Sequence, residues 1–173
     1  MLYKNFKLSE LASPELFKTK KVGIVKTKWN TEIVESLFED CVDQLLLQGI
    51  LQSNIIVYEV PGAFELAYGA QRMIATHDCD VYICLGAIIQ GATAHFDVLA
   101  HAVTQGLQTL SMQLNKPIIL GVLTCTHDQA VERVQQGIAK GWADSALMMI
   151  DLAPAKVNWH VIPQQVGARQ HNL

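Results

Sequence analysis

Four short apolar runs alternate with longer stretches in which apolar residues return every three or four positions. The runs are Val22–Val25, Ile55–Val60, Val81–Leu85 and Ile118–Leu123. Unbroken apolar runs, rather than alternating ones, predict parallel strands covered on both faces. After the first run, Ile33, Val34, Leu37, Phe38, Cys41, Val42, Leu45 and Leu46 recur at helical spacing, with Asn30 as a start signal and Gly49 as a stop. A second helix is predicted from Ala63 to about Thr76, entered through Pro61-Gly62 and carrying Glu65 in its first turn. A third presents Phe96, Leu99, Val103, Leu107, Leu110 and Leu114 on one side and closes at Asn115-Lys116-Pro117. Thr126-His127-Asp128-Gln129 has the form of a capping box for a fourth, with Ala130, Val131, Val134 and Ile138 as its apolar side. Gly137 and Gly141 then interrupt the chain before a last helix from about Trp142 to Leu152.

Strands alternating with helices imply an α/β architecture, with a parallel sheet, right-handed crossovers and helices on both faces. The expected organisation is a single domain over residues 21–152. Residues 1–20, where Pro14 interrupts any helix, read as an extended arm that packs on something else. Residues 153–173, framed by Pro154 and Pro163, read as a polar tail, loosely ordered unless Trp159, Val161 and Ile162 dock on a surface.

Composition narrows the class. Half of the 173 residues are apolar and only 17% are charged, which leaves apolar surface for partners and points to a homo-oligomer. No apolar run approaches the roughly 18 residues of a membrane span, and Met1–Lys7 lacks the apolar core of a secretory signal. A cytoplasmic protein without a membrane partner is therefore expected. A net charge of −3 with no Lys/Arg run argues against nucleic acid. Cys41, Cys79, Cys84 and Cys125 lack C-x-x-C spacing and read as reduced, buried small hydrophobes. The six histidines show no metal-ligand spacing, so no metal site is expected.

In a parallel sheet, ligands bind beyond the carboxyl ends of the strands. Lys26–Asn30, Pro61–Glu65, Gly86–Asp97 and Thr124–Asp128 should therefore converge. Each member has two readings. Trp29 can seal a sheet edge or offer a platform to a flat ligand. Glu65 can serve only the helix's positive end or accept from a ligand. Gly86 and Gly91 let the backbone approach a group closely or turn with positive φ, and Thr93 is a plausible helix cap where free N–H groups attract anions. His95 can move protons near neutral pH or sit idle. Asp97 can orient His95 or serve the helix start, and Arg133 can pair with Glu132 or bind an anion. Their shared location favours the functional reading.

These segments resemble the 6,7-dimethyl-8-ribityllumazine synthase family. The residues that carry the likeness are Trp29-Asn30, Pro61–Leu66, Leu85–Asp97 with its Gly-Ala-Thr-Ala-His-Phe stretch, Gly121–Thr124 and Gln129–Arg133, in order across roughly residues 18–150. The resemblance implies a flavodoxin-like three-layer α/β/α sandwich on a four-stranded parallel sheet, with an arm from residues 7–20 that adds to a neighbouring subunit's sheet. It implies the penultimate step of riboflavin biosynthesis, in which 5-amino-6-(D-ribitylamino)uracil condenses with 3,4-dihydroxy-2-butanone 4-phosphate without a cofactor. His95 would be the proton shuttle. Trp29 would stack on the pyrimidine, Ala63, Phe64 and Glu65 would hold the ribityl chain, and backbone at Ile88 and Ile89 would meet the ring's polar edge. Ala92, Thr93 and Arg133 would bind phosphate. Pentamers, or icosahedral shells of pentamers, would share each site, a neighbour giving Leu120, Arg133 and, less securely, Lys140; riboflavin synthase is a further partner implied.

The chain departs from the family pattern at Gln90, where Arg or Lys is usual, and at Leu120, where Phe is common. The segments 125–128 and 134–140 are each about one residue short, which leaves Arg133 fixed by its Glu-Arg context but loosens the match at Lys140. Two alternatives follow: a non-catalytic relative that holds lumazine or flavin or builds a shell, and a flavodoxin-like FMN module. The second is weakened because Lys26–Asn30 lacks a Ser/Thr/Gly run to wrap a phosphate.

Overall fold

In the computed structural model, which describes residues 14–93 and 95–152, the four apolar runs are strands β1 Val22–Thr27, β2 Ile55–Val60, β3 Val81–Ile89 and β4 Ile118–Cys125. They pair in parallel in the order β2-β1-β3-β4. The helices are α1 Pro14–Phe17, α2 Thr31–Leu47, α3 Leu66–Thr76, α4 His95–Leu114, α5 His127–Gln135 and α6 Ile138–Asp151.

Because successive strand residues point to opposite faces, the sheet feeds two cores. On one face Ile24, Ile83, Leu85 and Leu123 pack under α2, α5 and α6. On the other, Val25, Tyr82, Cys84 and Ile88 pack under α3 and α4. This is the expected three-layer arrangement. Central β3 is buried from Val81 to Ile88, whereas edge strands β2 and β4 keep several side chains in partial or full contact with solvent. All four cysteines are buried and free. Burial pushes the Cys41 and Cys84 thiols up to about 12, so neither is a nucleophile at neutral pH.

Local chemistry explains most boundaries. Gln129 N–H donates to Thr126 Oγ1 (3.4 Å) while Thr126 N–H donates to Gln129 Oε1 (3.2 Å), completing the capping box of α5. Gly49, just past α2, has φ 106°, a conformation that ends a helix at little cost only in glycine.

Four boundaries differ from the sequence reading. Pro14 starts a short helix instead of interrupting one, since its missing N–H is unneeded in a first turn. The rest of the proposed arm, residues 7–13, and the tail 153–173 lie outside the described residues. The last helix begins at Ile138, not near Trp142, because Gly137 at φ 69° supplies the left-handed residue before it and Gly141 is carried inside the helix. β3 continues through Gly86 to Ile89, with Gly86 packed 3.2 Å (as a notional Cβ) from Thr27 Cγ2 and no positive φ. Finally, α4 starts at His95, so Thr93 stands two residues before the first helical residue and not next to it.

Candidate functional site

The carboxyl ends of β1, β2 and β3 surround a cavity of about 590 Å³, a size suited to a small-molecule ligand. Three short segments and the start of α4 build its wall. The first is Trp29-Asn30, after β1. Lys28 N–H donates to Val60 O (2.9 Å) and Trp29 N–H to Pro61 O (3.1 Å), so this segment runs alongside the end of β2. The indole remains 71% exposed, unlike a core plug. A Cβ on Gly62 would lie 3.4 Å from the ring, which places the indole against the second segment.

That segment is Pro61–Glu65. A 3-10 turn over Ala63–Glu65 leads into α3, with Ala63 buried and Phe64 68% exposed. Gly62 N–H donates to Glu65 Oε2 at 3.0 Å. One carboxylate oxygen is thereby anchored, and the group is held at the cavity with acceptor capacity to spare.

The third segment exists because strands of unequal length meet. β1 pairs with β3 only as far as Lys26 and Leu85, while β4 stays paired to Ile89 through Cys125. Backbone groups in a strand point alternately to its two neighbours. Tyr82 N–H and Gln90 N–H donate toward β4's side, to Pro117 O and Cys125 O, both at 2.9 Å. Ala87 and Ile89 therefore turn their backbone toward β1's side, past the point where β1 has ended. Ala87 O is met by Asn30 Nδ2 at 2.9 Å. Ile89 has no strand beside it there, and both Ile88 and Ile89 line the cavity.

Thr93, His95, Phe96 and Leu99 close the wall. His95 is exposed in the first turn of α4. Among the described residues no hydrogen bond joins Asp97 to His95, as expected for residues two apart on a helix, which do not face each other. Among the described residues, Glu65 and His95 are the ionisable members of the wall, which offers a carboxylate and an imidazole but no lysine or arginine.

The structure thus brings together Trp29, Ala63, Phe64, Glu65, Ile88, Ile89, Thr93 and His95. Ala92, exposed, lies between wall residues Gly91 and Thr93. Leu120, Arg133 and Lys140 lie outside the cavity. Leu120, 40% exposed on β4, lines a separate groove with Leu107, Gln108 and Met112 of α4. Arg133 is exposed in the last turn of α5 and, among the described residues, has no carboxylate within 4 Å; Glu132 instead accepts from Gln136 Nε2 at 2.9 Å. Lys140 Nζ is 3.5 Å from Asp40 Oδ1 on α2.

Two features were missed by sequence reasoning. Asn30 reads as an ordinary helix cap, yet its amide makes no cap bond and lines the cavity. Lys26 reads as loop but lies within β1, almost enclosed, 2.6 Å from Glu35 and 3.3 Å from Glu59. Burial alone would lower its pKa; the two carboxylates outweigh that and hold it above 10.5. The ion pairs tie β1 to α2 through Glu35 and to β2 through Glu59. Among the described residues no cluster of His, Cys, Asp or Glu is placed to hold a metal ion.

A sequence profile of the 6,7-dimethyl-8-ribityllumazine synthase family matches residues 19–154. A protein of that name from Cytophaga hutchinsonii is 47% identical over 112 residues, covering 64% of this chain and 70% of that protein. Another, from Nitrosospira multiformis, is 38% identical over 133 residues, covering 76% and 81% respectively.

Proposed function

The chain belongs to the 6,7-dimethyl-8-ribityllumazine synthase family, and from that premise we propose that it condenses 5-amino-6-(D-ribitylamino)uracil with 3,4-dihydroxy-2-butanone 4-phosphate. The products are 6,7-dimethyl-8-ribityllumazine, phosphate and water, and residues 21–152 act as the catalytic unit. One observation carries the reading: a single cavity joins an exposed indole, an anchored carboxylate, an unpaired strand edge and a histidine.

Each wall segment has a task that suits its chemistry. The Trp29 ring stacks on the flat pyrimidine. The Ala63-Phe64-Glu65 turn takes the polyhydroxyl ribityl chain, the free carboxylate oxygen of Glu65 accepting from hydroxyls. Backbone at Ile88 and Ile89 meets the polar ring edge. His95, at the mouth of α4, accepts and returns protons as the amine adds to the ketone and phosphate departs. Ala92 and Thr93, before the positive end of α4, cradle the phosphate.

A phosphate also needs a cation, and the described residues of the wall supply none. Arg133, without a carboxylate partner among the described residues, meets that need from a second copy of the chain in a pentamer or a shell of pentamers, and Leu120 on an edge strand adds an apolar contact from the same copy. Lys140, held at Asp40, is left out of the contact set. No helix among the described residues is long and apolar enough to cross a membrane, in keeping with a cytoplasmic enzyme. Mixing purified protein with both substrates and following lumazine absorbance tests the reaction. Protein that binds lumazine but forms none would instead be a non-catalytic relative. Light scattering tests the assembly.

A further inference from the structure

The residue that links the two ligand-reading elements of the cavity is Asn30. Trp29 offers a stacking plane; the Ala87–Ile89 backbone offers an in-plane hydrogen-bonding edge. A flat heterocycle can satisfy both only if their relative position is fixed. The ladder that would ordinarily fix it is missing, because β1 stops pairing at Lys26 and its continuing chain turns away to follow β2 at Val60 and Pro61. Among the described residues, the one hydrogen bond between the Lys28–Asn30 segment and the overhanging end of β3 is Asn30 Nδ2 to Ala87 O.

Asn30 departs from the ordinary behaviour of a residue at that place. It precedes α2, and its carbonyl accepts from Ile33 N–H and Val34 N–H, both at 3.0 Å, so the helix starts on backbone alone. Its side chain gives up the capping bond that asparagine commonly makes there. Its backbone sits in the left-handed region at φ 58°, ψ 44°, which asparagine tolerates better than most residues. That conformation swings the amide toward β3. Only the NH₂ end of the amide can face a carbonyl oxygen, so the donor is unambiguous.

Resting on the reaction assigned above, we propose that Asn30 is a positioning residue for the pyrimidine substrate, setting the Trp29 plane against the Ala87–Ile89 edge. Asn30→Gly keeps the left-handed backbone without strain and removes only the tether. Asn30→Asp keeps shape and backbone tolerance but cannot donate. In both variants the KM for the pyrimidine should rise about tenfold, the size of one hydrogen bond's net contribution, while the KM for the butanone phosphate stays put. The fraction of tryptophan emission that Trp29→Phe abolishes should also be quenched less by the pyrimidine alone, before any chemistry. Circular dichroism confirms that the variants fold; should one fail to, the other decides. Unchanged constants in the folded variants, or an equal rise for both substrates, would overturn the assignment while leaving an active wild-type enzyme intact. A wild type that forms no lumazine would remove the proposed reaction and this role with it.

Discussion

The two ends of the sheet's carboxyl edge are built to different degrees of completion. Around β2, β1 and β3, side chains and backbone close a cavity with donors, acceptors and an aromatic face already in place. Around β4 and α5, Leu120 lines a separate groove with α4, and exposed Arg133 has no carboxylate within 4 Å among the described residues. Among the described residues the first region holds Glu65 and His95 as its ionisable groups, and the second supplies an arginine that lies outside that cavity. On the proposed function, the contrast means that an uncharged heterocycle is read inside one chain, whereas the anion is read by two surfaces that the fold keeps apart.

The largest expected effect lies in the first region. His95→Ala should lower kcat by roughly 10²- to 10⁴-fold, the usual contribution of a positioned acid–base group. Light scattering should show the assembly unchanged. An unaltered kcat would remove the proton-shuttle role and leave the cavity as a binding site.

Next comes the bridge between the regions. Arg133→Ala should raise the KM for the butanone phosphate about 10- to 100-fold, as loss of a charge-assisted bond implies, with little change for the pyrimidine. The decisive measurement mixes unfolded His95→Ala and Arg133→Ala chains and refolds them together. Shared sites predict recovered activity, because some interfaces join an intact cavity to an intact arginine. Mixtures no more active than their parts would place Arg133 within its own chain's site.

How much of this was legible in the sequence follows the same division. Apolar runs betray strands, and strand ends betray where side chains converge, so Trp29, Glu65 and His95 could be gathered before any coordinates. What stayed hidden depends on strands of unequal reach. Gly86 looks like a turn residue, but with β1 ending short, the chain there is still strand, and the overhang is what exposes the edge at Ile88 and Ile89. Asn30 looks like a cap because a sequence records that asparagine can bond, not whether its amide accepts from the free N–H groups of α2 or donates to Ala87 O. The Gly137 and Gly141 pair looks alike on paper. One takes positive φ ahead of the helix and the other has helical geometry within it.

Glycines also measure how tightly each region is packed. Gly121 lies on β4 at its junction with β3, where a Cβ would fall 2.6 Å from Leu85 Cδ2 and 2.9 Å from Cys84 O. Gly121→Ala should cost about 1–3 kcal/mol through overpacking, read as a lower urea midpoint. Gly91 has no atom of the described residues within 4 Å of such a Cβ and no positive φ. Gly91→Ala should leave the midpoint unchanged yet slow catalysis, since the open space beside it belongs to the proposed phosphate cradle. Equal midpoints for both variants would mean that the β4 junction can relax, and that the outward face of β4 is less rigidly presented than its packing implies.

The smallest effect decides which cation of the second region serves the site. Arg133 on α5 and Lys140 on α6 both lie outside the cavity wall. Pairing separates them: Lys140 Nζ has Asp40 at 3.5 Å, while Arg133 is unpaired among the described residues. An exposed pair of this kind is worth about 0–1 kcal/mol, so Lys140→Ala should shift the urea midpoint only slightly. It should also leave the butanone phosphate KM within about twofold, because a lysine already neutralised by its own chain has little field left for a distant phosphate. A KM that rose as far as in Arg133→Ala would mean that assembly breaks the Asp40 contact and turns Lys140 toward the neighbour. The second region would then bring two cations, and the short segment between residues 134 and 140 would set their spacing.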